Sequence, residues 1–235
     1  MKDIRTITFD LDDTLWEIHP VIKRAERHLY EWLGDHYPRI TSMYELEDIR
    51  EIREQVINEM PDQAHDLTFL RRVVLERIGK AAGYDTDFID AAFDVFDEVR
   101  NDVDIFPGVI PTLEMLREHF VLIAVTNGNA NLEKIGIRHL FHDVVTAVTA
   151  GAAKPARKIF DAAVLAGGAS AQQTLHVGDH PEFDVNGARE AGLRTVWVNR
   201  DGERWPDESE TPDVEVAHVD ELPGLLVVDP GRRES

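Results

Sequence analysis

Phe9-Asp10-Leu11-Asp12-Asp13-Thr14 closes the strand-patterned stretch of residues 4–9, Ile4-Arg5-Thr6-Ile7-Thr8-Phe9. A short stretch of β-branched and aromatic residues closed by polar residues reads as a strand. The aspartates then stand at its carboxyl end, and an offset of two puts Asp10 and Asp12 on one side of an extended chain. Three further pieces follow in order: Val125-Thr126-Asn127-Gly128 after the apolar residues 120–124, then Lys154-Pro155, then Gly178-Asp179 with Asp184 after residues 174–177. Three of the four pieces sit behind a strand pattern. They are therefore expected at the carboxyl ends of neighbouring strands, where an open α/β sheet holds its ligand.

The intervening sequence decides the architecture. Apolar residues recur at helical spacing at Ile22, Ala25, Leu29 and Trp32; at Leu46, Ile49, Ile52, Val56 and Met60; at Leu70, Val73, Val74 and Ile78; and at Ile89, Ala92, Phe93, Phe96 and Val99. Breaks fall at residues 34–38, 60–62 and 79–85, with Asp85 or Thr86 as the expected N-cap of the last helix. From Phe106-Pro107-Gly108 the pattern alternates. It predicts helices over 111–119, 156–166 and 184–191, strands over 121–125, 144–148, 174–177 and 195–198, and a short edge strand at 214–216. The fold class is thus α/β: a Rossmann-like core with a parallel sheet flanked by helices, plus an inserted α-helical bundle. The core is assigned to 1–15 and 106–228, a helical cap to 16–105 and a disordered tail to 229–235.

Composition narrows the function. The 235 residues contain no cysteine, which excludes thiolate catalysis, disulfides and cysteine-ligated metal. No stretch approaches the ~18 apolar residues of a membrane span, and Met1-Lys2-Asp3 opens no basic-then-apolar leader, so a cytoplasmic location is expected. A formal net charge of −20 disfavours nucleic acid and anionic membrane as partners. It also repels a phosphate, so charge must reverse locally; Lys154 and a divalent cation are the candidates.

The residue types suit phosphoryl transfer. Asp10 can attack phosphorus and form an aspartyl-phosphate. Asp12 can protonate the leaving oxygen and later take a proton from water. Asp10, Asp12, Asp179 and Asp184 repel one another if they converge, and an all-oxygen donor set favours Mg²⁺ as the remedy. Thr126 and Asn127 offer hydroxyl, amide and N–H donors to phosphate oxygens, Lys154 pairs with phosphate and with Asp10, and Asp13 joins the phosphate-binding candidates. Trp16 and His19 either line the substrate pocket or pack at a hinge. His176 reads as a residue that packs or bonds locally, Arg189 as a solvated helix position, and Tyr30, Trp32 and Tyr37 as cap core.

The set resembles the haloacid-dehalogenase-like (HAD) phosphatase superfamily over nearly the whole chain, in the branch whose cap follows the first motif. The resemblance implies Asp10 as nucleophile and Asp12 as general acid/base. It implies Mg²⁺ held by Asp10, the Asp12 carbonyl and Asp179 with support from Asp184, and phosphate bound by Thr126 and Lys154. Thr8 to Trp16, His19 to Ile22, Thr126 to Ala130 and Leu175 to Asp179 are similar to bacterial flavin mononucleotide phosphatases, which also act on 5-amino-6-(5-phospho-ribitylamino)uracil. The expected activity is hydrolysis of a small phosphorylated metabolite. A sugar-phosphate phosphomutase, a hydrolytic dehalogenase and a non-catalytic phospholigand-binding protein stand as alternatives, and the choice between monomer and homodimer stays open.

Overall fold

The computed structural model describes residues 3–206 and 210–226. The tail assigned to 229–235 lies outside them.

Six parallel strands form one sheet in the order β3-β2-β1-β4-β5-β6. They are β1 (Thr6–Phe9), β2 (Val121–Thr126), β3 (Asp143–Thr146), β4 (Thr174–Gly178), β5 (Arg194–Val198) and β6 (Val214–Val216). All four residues of β1 are buried, as a parallel strand covered on both faces requires. Thr6 pairs with Val121 on one side and with Thr174 on the other. The chain builds outward to β3 on one side of β1 and then returns to β4 on the other. β1 therefore marks the reversal of strand order, and a crevice opens beyond the carboxyl ends of β1, β2 and β4.

Helices α1 (Ile18–His36), α2 (Pro38–Met43), α3 (Leu46–Glu59), α4 (Leu67–Ala81) and α5 (Ile89–Arg100) fill the interval between β1 and β2. The four expected helices are present, and Pro38 starts a fifth, short one at the break. Neither Asp85 nor Thr86 caps α5: Phe88 precedes it without a side-chain cap, and the Ile89 N–H donates to the Thr86 carbonyl at 3.2 Å.

Beyond them lie α6 (Val109–Arg117), α7 (Leu132–Ile135), α8 (Ala147–Ala150), α9 (Arg157–Gly167), α10 (Gly187–Glu190) and α11 (Leu222–Leu226). α9 packs on β2 and β3, with Ile123, Val125, Val145, Phe160 and Ala163 in one cluster, α10 packs on α9 and β5, and α6 packs with α11. β3 ends earlier than its apolar run because the Thr146 hydroxyl accepts from the Thr149 N–H and opens α8. The helix expected over 184–191 begins sooner, as a wide π turn over Pro181–Asn186 that continues into α10. Arg189, expected as a solvated helix position, is partly exposed and also donates to the carbonyls of Glu210 (2.6 Å) and Thr211.

The chain divides into two compact units. One comprises Met1–Glu17, Asp104–Gly128 and Gly136–Ser235; the other comprises Ile18–Val103 and Asn129–Ile135. The helical unit has its own core, including Leu29, Leu33, Ile78, Phe88 and Phe96, with Trp32 and Tyr37 packed against it. Residues 129–135 join it by specific bonds: the Asn131 N–H donates to Asn101 Oδ1 (2.7 Å), and Lys134 Nζ reaches Asp97 Oδ2 (2.6 Å). Among the described residues no helix is long and apolar enough to cross a membrane.

Candidate active site

Asp10, Asp12, Asp13, Thr126, Asn127, Lys154, Asp179 and Asp184 line one cavity of about 170 Å³ in the sheet-bearing unit. The ends of three adjacent strands bring them together. The Asp10 N–H donates to the Val177 carbonyl (2.9 Å), which extends the β1–β4 ladder by one residue and fixes the carboxyl at its exit. Lys154 Nζ reaches Oδ1 of both Asp10 and Asp184, the latter at 2.6 Å. Thr14 Oγ1 lies 3.3 Å from Asp10 Oδ2 and 3.0 Å from Asp179 Oδ1, tying the first motif to the last. Gly178 is required by close approach: a Cβ there would lie 2.3 Å from Asp184 Cγ.

The electrostatics are those of crowded carboxylates around one ammonium. Burial raises Asp10 well above the usual range; Lys154 opposes this, and Asp184 and Asp179 add to it. Burial and the neighbouring Asp184 raise Asp179 to about 6. Burial also acts on Asp184, but Lys154 and the His176 hydrogen bond outweigh it and hold that carboxyl below the usual range. Burial disfavours the Lys154 ammonium, yet Asp10 and Asp184 overcome it, so the lysine stays charged.

Several expected binders have other work. Trp16 is fully buried and its indole N–H donates to Asp12 Oδ1 at 2.8 Å. It cannot line a substrate pocket; it orients Asp12. His19 is exposed on the first turn of α1, in the helical unit, and is not among the residues lining this cavity. Asp13 lines the cavity in a left-handed conformation (φ 64°), which aspartate tolerates, but its N–H donates to the Trp16 carbonyl (2.7 Å). The Asn127 amide grips the backbone of Lys154, donating to its carbonyl (3.0 Å) and accepting from its N–H (2.6 Å). It positions the lysine instead of offering that contact to phosphate. Thr126 Oγ1 accepts from the Gly128 N–H (2.8 Å), which leaves its hydroxyl hydrogen to donate.

Sequence reasoning missed a buried relay behind Asp184. Thr8 Oγ1 and His176 Nδ1 are 2.7 Å apart, and His176 Nε2 is 3.0 Å from Asp184 Oδ1. Burial lowers His176, so its ring is neutral. With the Thr8 hydroxyl donating to Nδ1, the ring hydrogen sits on Nε2 and faces Asp184. Only the alternation of β1 and β4, which turns Thr8 and His176 to one face at matched register, could have hinted at this. His176→Leu is expected to lower kcat/KM by roughly 10- to 100-fold, and Thr8→Val by less, with native circular dichroism in both. If His176→Leu keeps full kcat/KM, the imidazole merely packs on Phe160.

Oxygens of Asp10, Asp179 and Asp184 lie within 4.8 Å of one another. A hard divalent cation suits this all-oxygen set, because burial, with repulsion from the neighbouring carboxylates added to it, raises Asp10 and Asp179, and a cation would relieve both penalties. The raised Asp179 carboxyl has a measurable consequence. Asp179, raised from 3.8 to about 6, removes stability as pH climbs through that window. Metal-free Asp179→Asn should therefore be more stable than wild type above pH 7, by on the order of 2 kcal/mol, and equal to it near pH 4. Urea unfolding at both pH values checks this; a pH-independent difference contradicts it.

A family model of haloacid dehalogenase-like hydrolases matches residues 4–192. The chain belongs to that family. It is 30% identical, over 95% of its length and 96% of the relative's, to 5-amino-6-(5-phospho-D-ribitylamino)uracil phosphatase of Escherichia coli (strain K12). It is 34% identical to glyceraldehyde 3-phosphate phosphatase of Methanopyrus kandleri, over 93% of this chain and 95% of that one. Among solved structures, the 2-haloacid dehalogenase from Pseudomonas syringae pv. Tomato DC3000 superposes with a TM-score of 0.89 at 39% identity, covering 94% and 97% of the two chains. The phosphatase relatives, aligned over most of the chain, make this a phosphatase-type enzyme of the family.

Proposed function

We propose that this chain is a cytoplasmic, Mg²⁺-dependent phosphomonoester hydrolase that works through an aspartyl-phosphate on a small phosphorylated metabolite. The observation that carries the reading is the convergence of Asp10, Asp179 and Asp184 around Lys154, with Asp12 two residues beyond Asp10. When bound, the cation would neutralise charge between these carboxylates and phosphate oxygens, with Asp10, the Asp12 carbonyl and Asp179 as its holders and Asp184 in support.

The chain's own groups supply the rest. Lys154 adds positive charge beside the Asp10 carboxyl, which attacks phosphorus. The Thr126 hydroxyl donates to a phosphate oxygen. The Trp16 indole fixes Asp12 Oδ1, so the carboxyl is oriented before it gives a proton to the leaving oxygen and later takes one from water. The helical unit, inserted between Glu17 and Asp104, is the cap that selects the leaving group.

The phosphate donors to test first are flavin mononucleotide and the ribityl phosphate of the riboflavin route, supported by the motif resemblance and by the Escherichia coli relative. A phosphate-release screen with Mg²⁺ over these, triose and sugar phosphates, nucleotides and an aryl phosphate is the decisive experiment. Release that chelator abolishes and Mg²⁺ restores is expected. Asp12→Ala should lose roughly 10²- to 10⁴-fold on alkyl phosphates and much less on the aryl phosphate, which departs without protonation; equal losses argue against Asp12 as the acid.

The dehalogenase neighbour at 39% identity gives the second reading a specific basis. A halide leaves without a proton and needs no cation, so the indole-held Asp12 would have no leaving group to protonate, and beyond Asp10 as nucleophile and one carboxylate to activate water the cluster would hold a charge without a task. Halide release from a 2-chloro acid in excess chelator, with no phosphate release from any donor, would establish that reading instead.

A further inference from the structure

A second cavity, of about 30 Å³, lies inside the helical unit between α1, α3 and α4, and it shares no lining residue with the catalytic cavity. Its walls include Leu29, Leu33, Val74, Leu75 and Ile78, yet three arginines also line it: Arg50, Arg53 and Arg71. The one carboxylate in the lining is Glu26. Its two oxygens take Arg50 Nε (2.9 Å) and Arg53 Nη1 (3.0 Å), and Glu47 at the rim takes Arg50 Nη1 (2.8 Å). Two carboxylates thus match two guanidiniums. Arg71 is left over: among the described residues it has no ion-pair partner, and its guanidinium lies 3.4 Å above the Phe96 ring. Arg53 Nε is buried and lacks a hydrogen-bond partner.

Arg71 is half-buried, and an excess positive charge partly withdrawn from water against apolar walls is costly unless an anion meets it. Burial pulls Arg71 down to about 10, and Arg53 and Arg100 push the same way against Glu26. In a chain of net charge −20, a locally basic and apolar-walled cavity is the feature that calls for an occupant.

We propose that this cavity is a binding site for a small organic monocarboxylate, its headgroup on Arg71 and Arg53 Nε and its apolar body along Leu75 and Ile78. One surplus guanidinium matches the single negative charge of a monocarboxylate, and a planar carboxylate fits the planar guanidinium fork. The site is independent of the catalytic assignment.

The test titrates the full chain, at constant ionic strength, with sodium butyrate, with butyramide as the uncharged isostere and with propylphosphonate, following arginine Nε–H resonances. Butyrate should shift the Arg53 and Arg71 signals saturably while butyramide leaves them in place. Arg71→Met, which keeps the aliphatic stem, should weaken butyrate at least tenfold, and Arg71→Lys should weaken it less. Equal binding of butyramide would reduce the cavity to an apolar void. Propylphosphonate binding tenfold more tightly at the same arginines would make it a phosphate site. An unchanged Kd in Arg71→Met would remove Arg71 from it. Any of these three results overturns the proposal.

Discussion

Asp10→Asn is expected to lower kcat by roughly 10⁴-fold or more, as loss of a covalent nucleophile does, while melting stays at or above the wild-type temperature. The side chain is buried and nearly isosteric with its replacement, so the β1 exit and the Val177 bond survive. Removing this buried negative charge also relieves the desolvation, and the lesser repulsion from Asp184 and Asp179, that raise Asp10. The Asn side chain still accepts from Lys154. Steady-state phosphate release and thermal unfolding test the two halves. Activity within tenfold of wild type, in a folded variant, would remove Asp10 as nucleophile.

Lys154→Met should abolish turnover and destabilise the fold together. The ammonium lies between Asp10 Oδ1 and Asp184 Oδ1, all three groups buried. Its removal leaves two buried carboxylates facing each other, at about 3 kcal/mol for breaking a buried ionic pair. The pH dependence follows from the two partners. Asp184 is held below its usual range, so its contribution is present above the ordinary carboxylate pKa and is lost as pH falls below it. Lys154 is held above its usual range, so its contribution is lost only in strong base. The gap between wild type and Lys154→Met should therefore be widest between roughly pH 5 and 10 and should close in acid. Denaturant midpoints at pH 7 and pH 3 measure it. A gap that does not narrow in acid would mean that the methionine disturbs packing and not charge.

The two variants separate chemistry from scaffolding. Asp10→Asn removes the attacking group and leaves the network intact; Lys154→Met removes the network's single cation. Asp179→Asn belongs with the first, as a site residue whose charge opposes folding. Such residues are retained where function requires them.

Much of this was legible in residue order. β1, β2 and β4 were legible as short stretches rich in β-branched and apolar residues, each ending on a polar motif, so the carboxyl-end crevice could be read from residue order; the burial of Thr6, Thr8, Thr174 and His176 within them could not. The helical insert was legible because its apolar residues keep a 3.6-residue period for turn after turn. Boundaries were harder. The apolar run at 144–148 looks like one strand, but the Thr146 hydroxyl closes it and starts α8, a choice made by a local hydrogen bond that hydrophobicity does not encode.

Site roles divided in the same way. Asp10, Thr126, Lys154 and Asp179 were singled out by type and position, and the structure brings them to one cavity. Trp16 and Asn127 are conspicuous in sequence yet act through Asp12 and the Lys154 backbone: the fully buried indole has no face left for a ligand, and the Asn127 amide both donates to and accepts from the lysine's peptide groups. The Thr8–His176–Asp184 relay joins residues 168 positions apart in the chain. The surplus charge on Arg71 exists only because Glu26 is consumed by Arg50 and Arg53 from another helix. By itself the sequence determined which elements form and which motifs end them, since periodicity and composition act over a few neighbouring residues. The tertiary structure alone decided which polar groups are partnered and which remain to act, since hydrogen bonds and charge compensation are set between residues that only folding brings together.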